Sequence, residues 1–285
     1  MSDTPPTASA RTPGTLFLVP VPLGPAQDPA DNLPAATLAA IRTLDCFIAE
    51  NARTARSVLG RLAMGRPMQS IEIAELNTHT PSDAVAALLA PLLAGRSVGL
   101  LSEAGCPAVA DPGGILVALA HQRAIRVVPL VGPSALLLAL MASGMSGQSF
   151  AFVGYLPIDA GERLARIQAL ERRSADEGQT QIMIETPYRN QALFEALVGA
   201  LSPSTLLGIA SDLSLPEESI RVRTIARWRA EPAELARTPT VFTLAAEPGG
   251  KPARLPARPG ARPSNRPASG TRKPVSAGAG SPRRR

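Results

Sequence analysis

The chain has 285 residues, 45% of them apolar and only 3% aromatic, with two cysteines and a formal charge of +6. That length supplies two α/β domains of ordinary size, each with a core of Ala, Leu, Val and Ile rather than rings. Cys46 and Cys106, 60 positions apart, offer neither a disulfide framework nor a metal site. The charge is uneven: ten basic and no acidic residues follow Gly250, so the first 250 residues carry 19 Lys and Arg against 23 Asp and Glu, a net −4.

Residues 1–13 lack an apolar signal core and are predicted to form a disordered leader. Thr15 to Val19, bounded by Gly14 and Pro20, has the pattern of a first strand, and Val21 to Asp28 is a turn-rich loop. Leu33, Thr37, Ile41 and Leu44 fall at helical spacing, predicting a helix from Leu33 to Leu44 capped by Asn32 with Pro34 in its first turn. A second strand, Cys46 to Ala49, ends in Glu50-Asn51-Ala52-Arg53. An amphipathic helix follows at Ser82 to Leu93, then a short buried strand at Val98 to Leu101. Ala118 to Arg123 belongs to a helix that precedes the strand Arg126 to Leu130. This alternation predicts a mostly parallel sheet covered on both faces.

Val131-Gly132-Pro133-Ser134 breaks the chain before the apolar helix Ala135 to Ala142, so a domain boundary is placed there, with domains over 14–130 and 131–248. The second contains strand candidates at Ala151 to Val153, Gln181 to Glu185, Leu206 to Ala210 and Val241 to Ala245, and helices at Gly161 to Arg173 and Gln191 to Leu201. The charged run from Glu162 to Arg173 reads as a solvated helix face. Residues 249–285, with seven prolines and almost no apolar bulk, are predicted to be a disordered basic tail. Such a tail attracts phosphate backbones in a salt-dependent way, or serves only to solubilise. The longest apolar stretch, Leu136 to Met141, is too short to span a bilayer, so a soluble cytoplasmic protein without a membrane partner is the default.

Leu100 to Gly114, LLSEAGCPAVADPGG, is the strongest candidate for a ligand site. A strand ends there in a loop turned by Gly105, Pro107, Pro112, Gly113 and Gly114, in which Glu103 and Asp111 can hold backbone or ligand donors. Loops at the carboxyl ends of strands are where open α/β sheets bind small molecules; the alternative is a plain capped turn. His79 and His121 are the only histidines, and no His or Cys cluster points to a metal.

Three loops can be read together: Pro22-Leu23-Gly24-Pro25 with Asp28, Ser102 through Gly113, and Val128 through Ala135. With Glu50-Asn51-Ala52-Arg53, Phe152-Val153-Gly154-Tyr155-Leu156-Pro157 and Ile184-Glu185-Thr186-Pro187-Tyr188-Arg189, their order and spacing resemble the tetrapyrrole methylase superfamily. Within it the chain looks most like the branch that methylates a ribose 2′-oxygen of 16S ribosomal RNA. The resemblance runs from about Gly14 to Leu244. It departs from the branch's Glu-Asp-Thr-Arg, Asp-Ala-Gly-Thr-Pro and Ser-Pro-His-Arg in the matching loops, and Arg-Glu-Leu-Thr-Lys becomes Ser211-Asp212-Leu213-Ser214-Leu215, losing two basic residues.

The resemblance implies a two-domain α/β fold with a mixed or mostly parallel sheet in each domain, S-adenosyl-L-methionine in the cleft between them, and a homodimer. Matched motifs place the cofactor against Gly24, Pro25, Cys106, Val109, Ser134 and Ala135, and from the second domain against Glu185, Ala210 and Thr240. Methyl transfer to a ribose hydroxyl calls for a base or orienting carboxylate, for which Glu50 and Glu103 are the candidates, while Arg53 and Arg189 are candidates to hold phosphate. The implied partner is RNA or the small ribosomal subunit. The alternatives are a methyltransferase of the same fold acting on a small molecule such as a tetrapyrrole, or a non-catalytic paralogue that binds RNA or ribosomes.

Overall fold

The computed structural model describes residues 12–247, apart from the side chain of Ser82. The leader, except Thr12 and Pro13, and the basic tail lie outside the described residues. The first half runs β1 (Thr15–Val19), α1 (Pro29–Asn32), α2 (Ala35–Arg42), β2 (Cys46–Ala49), α3 (Ala52–Arg61), β3 (Glu72–Glu75), α4 (Ser82–Ala87), α5 (Ala90–Leu93), β4 (Val98–Leu101), α6 (Gly113–Gln122) and β5 (Arg126–Pro129). Its strands form one wholly parallel sheet in the order β3-β2-β4-β1-β5. β2 and β4 are buried at every position, as befits a parallel sheet covered on both faces.

Two helices depart from the sequence reading. The helix expected from Leu33 to Leu44 is divided: Asp28, not Asn32, caps α1 by accepting from the Ala30 N–H at 2.9 Å, and Asn32 is the last residue of that short helix. Pro34 is extended at ψ 147° and stands before α2 rather than inside it. The span Ser82 to Leu93 is likewise two short helices, with Pro91 in the first turn of α5, where its missing N–H costs nothing.

The second half runs α7 (Ala135–Ser143), β6 (Phe150–Phe152), α8 (Ala160–Glu177), β7 (Thr180–Glu185), α9 (Asn190–Ala200), β8 (Leu206–Ser211), β9 (Ser219–Thr224), α10 (Ile225–Ala230) and β10 (Thr240–Ala245). Its sheet is mixed, in the order β6-β7-β10-β8-β9, with only β6 and β7 parallel. Strand alternation sorts the core onto two faces. Met183, Ile209 and Phe242 pack with Ile167, Leu193 and Trp228 of α8, α9 and α10. Their neighbours Ile182, Ala210 and Val241 pack with Ala139 and Leu140 of α7. Trp228 anchors the first of these cores: its indole N–H donates to the Leu207 carbonyl at 2.9 Å and its ring meets Phe194 edge-on at 5.3 Å.

Candidate active site

Because every strand of the first sheet points the same way, the loops after β1, β2, β4 and β5 emerge at one edge. Three of them are stitched together there. Val21 and Gly105 exchange backbone hydrogen bonds of 2.9 and 3.1 Å, and the Cys106 thiol donates to the Pro133 carbonyl at 3.3 Å. Gly105 has φ +70°, and a Cβ on it would lie 3.1 Å from Leu23 Cδ2 and 3.3 Å from the Pro133 oxygen. Glycine takes this left-handed backbone without strain, and a side chain here would press on both neighbouring loops.

Beside this junction lies a cavity of about 470 Å³ whose wall comes from both halves. The first half supplies Leu23, Glu50 and residues 102–106 and 109–111, and Ser134 with the start of α7 follows the break between the halves. Phe152, Tyr155, Glu185, Ala210, Leu213 and Thr240 are among the residues supplied by the second. Its volume falls within the range of small-molecule sites. Six non-glycine residues have positive φ among the described residues, and four of them, Ala108, Ala110, Asp212 and Ser214, sit in two loops of this wall. Such strain persists where surrounding structure imposes it, and it concentrates at functional sites.

The electrostatics of the first-half wall are set by three carboxylates. Burial pushes the half-buried Glu50 above the usual carboxylate range, and the negative charges of Glu103 and Asp111 push it further. Asp111 is raised by burial as well, although the Gly113 and Ala108 N–H groups, donating to it at 2.8 and 2.9 Å, pull it back. Burial also raises the Cys106 thiol, which disfavours the thiolate and any nucleophilic role.

The second-half wall holds one deeply buried carboxylate. Glu185, with 1% of its side chain exposed, accepts from the Thr186 N–H through Oε1 at 2.8 Å. Its Oε2 is 2.9 Å from Arg189 Nη2 but out of line for a hydrogen bond, so this buried oxygen has no hydrogen-bond partner among the described residues. Thr240 is fixed by Asn190, whose side-chain amide donates to it at 3.1 Å and to the Thr238 carbonyl at 2.7 Å.

Of the residues expected from the sequence, Glu50, Glu103, Cys106, Val109, Ser134, Ala135, Glu185, Ala210 and Thr240 come together around this one cavity. Gly24 and Pro25 do not line it. Leu215 packs so closely on Gly24 that a Cβ there would lie 2.4 Å from Leu215 Cδ2, while the Pro25 carbonyl accepts from Arg61 at 2.7 Å. The same loop is tied across the molecule by Gln27, which accepts from the Gly24 N–H at 2.8 Å and donates to the Ser214 carbonyl at 2.7 Å. Arg53 also stays outside the wall, exposed in the first turn of α3, and Arg189 is engaged by Glu185. Tyr155, Leu213 and Leu215 line the cavity without having been singled out. All three sit within quoted motifs, Tyr155 in Phe152 to Pro157 and the leucines in Ser211 to Leu215, but the leucines carry no chemical signal that marks them as site residues.

Carboxylates of raised affinity for a proton, set beside an apolar wall, can take a proton from a hydroxyl and orient it. No group of three or more His, Cys, Asp or Glu among the described residues is arranged to hold a metal ion, and no described helix is long and apolar enough to cross a membrane.

Residues 15–228 match the model of the tetrapyrrole (corrin/porphyrin) methylases. The chain belongs to this family. It is thus a methyltransferase of a family that depends on S-adenosyl-L-methionine. Among curated proteins it is similar to ribosomal RNA small subunit methyltransferase I of Mesorhizobium japonicum, 38% identical over 213 residues that make up 74% of this chain and 67% of that protein. The protein so named in Xylella fastidiosa is 31% identical over 78% of this chain and 77% of its own length. Among crystal structures, the methyltransferase CobJ shares the tetrapyrrole methylase fold at a TM-score of 0.53 and 17% identity, over 82% of this chain and 99% of that one. Uroporphyrin-III C-methyl transferase from Thermus thermophilus, complexed with S-adenyl homocysteine, gives 0.52 and 18%, over 81% and 97%.

Proposed function

We propose that this methyltransferase acts on a ribose 2′-oxygen of small-subunit ribosomal RNA and holds S-adenosyl-L-methionine in the cavity bounded by Gly105, Cys106, Ser134 and Thr240. The observation that carries the reading is the meeting of three strand-end loops at Gly105 beside carboxylates of raised pKa. The ribosomal substrate is supported by the names of the curated relatives. The residues fit the cofactor. Loop backbone brought into close approach suits a ligand gripped through main-chain groups, Phe152, Ile184 and Val241 give an apolar wall, and the buried Glu185 oxygen without a hydrogen-bond partner offers an acceptor.

When bound, S-adenosyl-L-methionine supplies a methyl group on a sulfonium, open to in-line displacement. The protein's part is to position the acceptor, exclude water and manage one proton. Glu50 takes the proton of the hydroxyl as its oxygen gains the methyl, and Glu103 orients that hydroxyl. We assign Arg53, outside the cavity wall, to RNA phosphate, and the basic composition of residues 249–285 supports a further, salt-dependent contribution to RNA binding. We read the two sheets as two domains, 14–130 and 131–248, a reading supported by the presence of one sheet in each stretch. A homodimer is supported by α7, which is apolar on every side yet leaves Leu137 50% and Met141 77% exposed.

The test is transfer of labelled methyl from S-adenosyl-L-methionine to small ribosomal subunits prepared from cells lacking the modification. The reading predicts stoichiometric labelling on one ribose and thermal stabilisation of the protein by S-adenosylhomocysteine. Stabilisation without labelling of ribosomal RNA would leave the cofactor site and sink the substrate.

A further inference from the structure

We propose that Tyr188, backed by Arg237, is a stacking platform for an unpaired base next to the target nucleotide, with Tyr155 presenting a second ring inside the mouth of the cavity. The proposal rests on the RNA reading above. The chain has two tyrosines in all. Both are exposed, Tyr155 by 55% and Tyr188 by 80%, more than Phe150 at 42%, whereas Trp228, Phe47, Phe194 and Phe242 are buried. Of the two, only Tyr155 lines the cavity, but Tyr188 is close to it along the chain, directly following the lining residues Thr186 and Pro187.

An aromatic ring left so exposed gives up the burial that stabilises rings elsewhere in this aromatic-poor chain. Tyr155 in the wall and Tyr188 immediately after the wall residues Thr186 and Pro187 point to a ligand with flat faces. The Arg237 guanidinium lies over the Tyr188 ring at 5.8 Å from its centroid, and Pro239, two residues further on, lines the cavity. Arginine on one face steadies the ring and leaves the other face to solvent. Positive charge beside it suits the phosphate of the same nucleotide. Ring plus guanidinium is the combination by which proteins hold single-stranded nucleic acid, because every base has a π face and every linkage a charge. A base already stacked in a duplex has no face to offer, so the platform selects unpaired RNA.

The experiment uses the full-length protein saturated with S-adenosylhomocysteine and follows anisotropy of a fluorescein-labelled single-stranded oligoribonucleotide at fixed salt. Tyr188→Ala is expected to weaken binding about tenfold, Tyr188→Phe to bind as the wild type does, and Arg237→Gln to fall between them. On a duplex of the same length the Tyr188→Ala change should have no effect. Thermal stabilisation by S-adenosylhomocysteine, equal for all variants, reports that the fold is intact. If the wild type binds the single strand and Tyr188→Ala binds it equally, or Tyr188→Phe loses as much as alanine, the platform is wrong while the RNA reading stands. A wild type that binds no RNA yet is still stabilised by S-adenosylhomocysteine overturns both.

Discussion

The first-half wall of the cavity is made of loop backbone, whereas the second-half wall is made of strand ends and the side chains they carry. In the first half, parallel strands deliver four loops to one edge, and glycine and proline turns then press their main chains together at Gly105. In the second, antiparallel neighbours leave only some strand ends facing the cavity, so Glu185, Ala210 and Thr240 reach it as the ends of β7, β8 and β10. The first wall therefore depends on loop conformation together with the carboxylates it carries, and the second mainly on the side chains at its strand ends. Substitutions should separate the two.

The largest effect is expected at Glu50. Glu50→Gln keeps the shape and removes the proton acceptor, so methyl transfer should fall by roughly 10² to 10⁴-fold with little change in S-adenosylhomocysteine affinity, measured by single-turnover kinetics. The pH profile sharpens this. The base works only when ionised, so the rate falls as pH drops through its pKa, and because that pKa is raised the fall begins at higher pH than for an ordinary glutamate. The variant should lack that limb. A rate unchanged in Glu50→Gln would take the base away from this residue.

Gly105→Val tests the conformational wall. A left-handed backbone costs a β-branched residue about 1–2 kcal/mol and the Cβ crowds two loops, so melting should drop by about 5 °C and stabilisation by S-adenosylhomocysteine should disappear. Retained stabilisation would show that the loops need not meet. Glu185→Gln tests the other wall: it keeps the size, removes the charge opposite Arg189, and should weaken S-adenosylhomocysteine about tenfold by calorimetry. The smallest change is Gln27→Ala, which cuts the tie between the two halves. It should cost about 1 kcal/mol in denaturant unfolding.

The same contrast explains what could be read from the residues alone. β1, β2 and β4 were legible to the residue because short apolar runs between glycine, proline and polar turns leave few other readings. β3 and β9 were not. Both are edge strands with partly exposed, charged sequences, EIAE and SIRVRT, whose pairing depends on a neighbour rather than on their own apolar content. α3 had a readable start in Asn51, whose side chain accepts from the Arg53 and Thr54 N–H groups, but its charged sequence hid the helix. At the site, motifs located the carboxylates and small residues. They could not show that Leu215 covers Gly24, because that contact joins residues 191 positions apart.

The strained alanines at positions 108 and 110 bear on how a ligand arrives. Asp111 accepts from the Ala108 N–H and so holds the first of them in place within the folded chain, and the cost of shaping that part of the rim is met during folding. On the proposed reading, a nucleoside entering here meets a rim shaped in advance, and its binding carries no cost for ordering that segment.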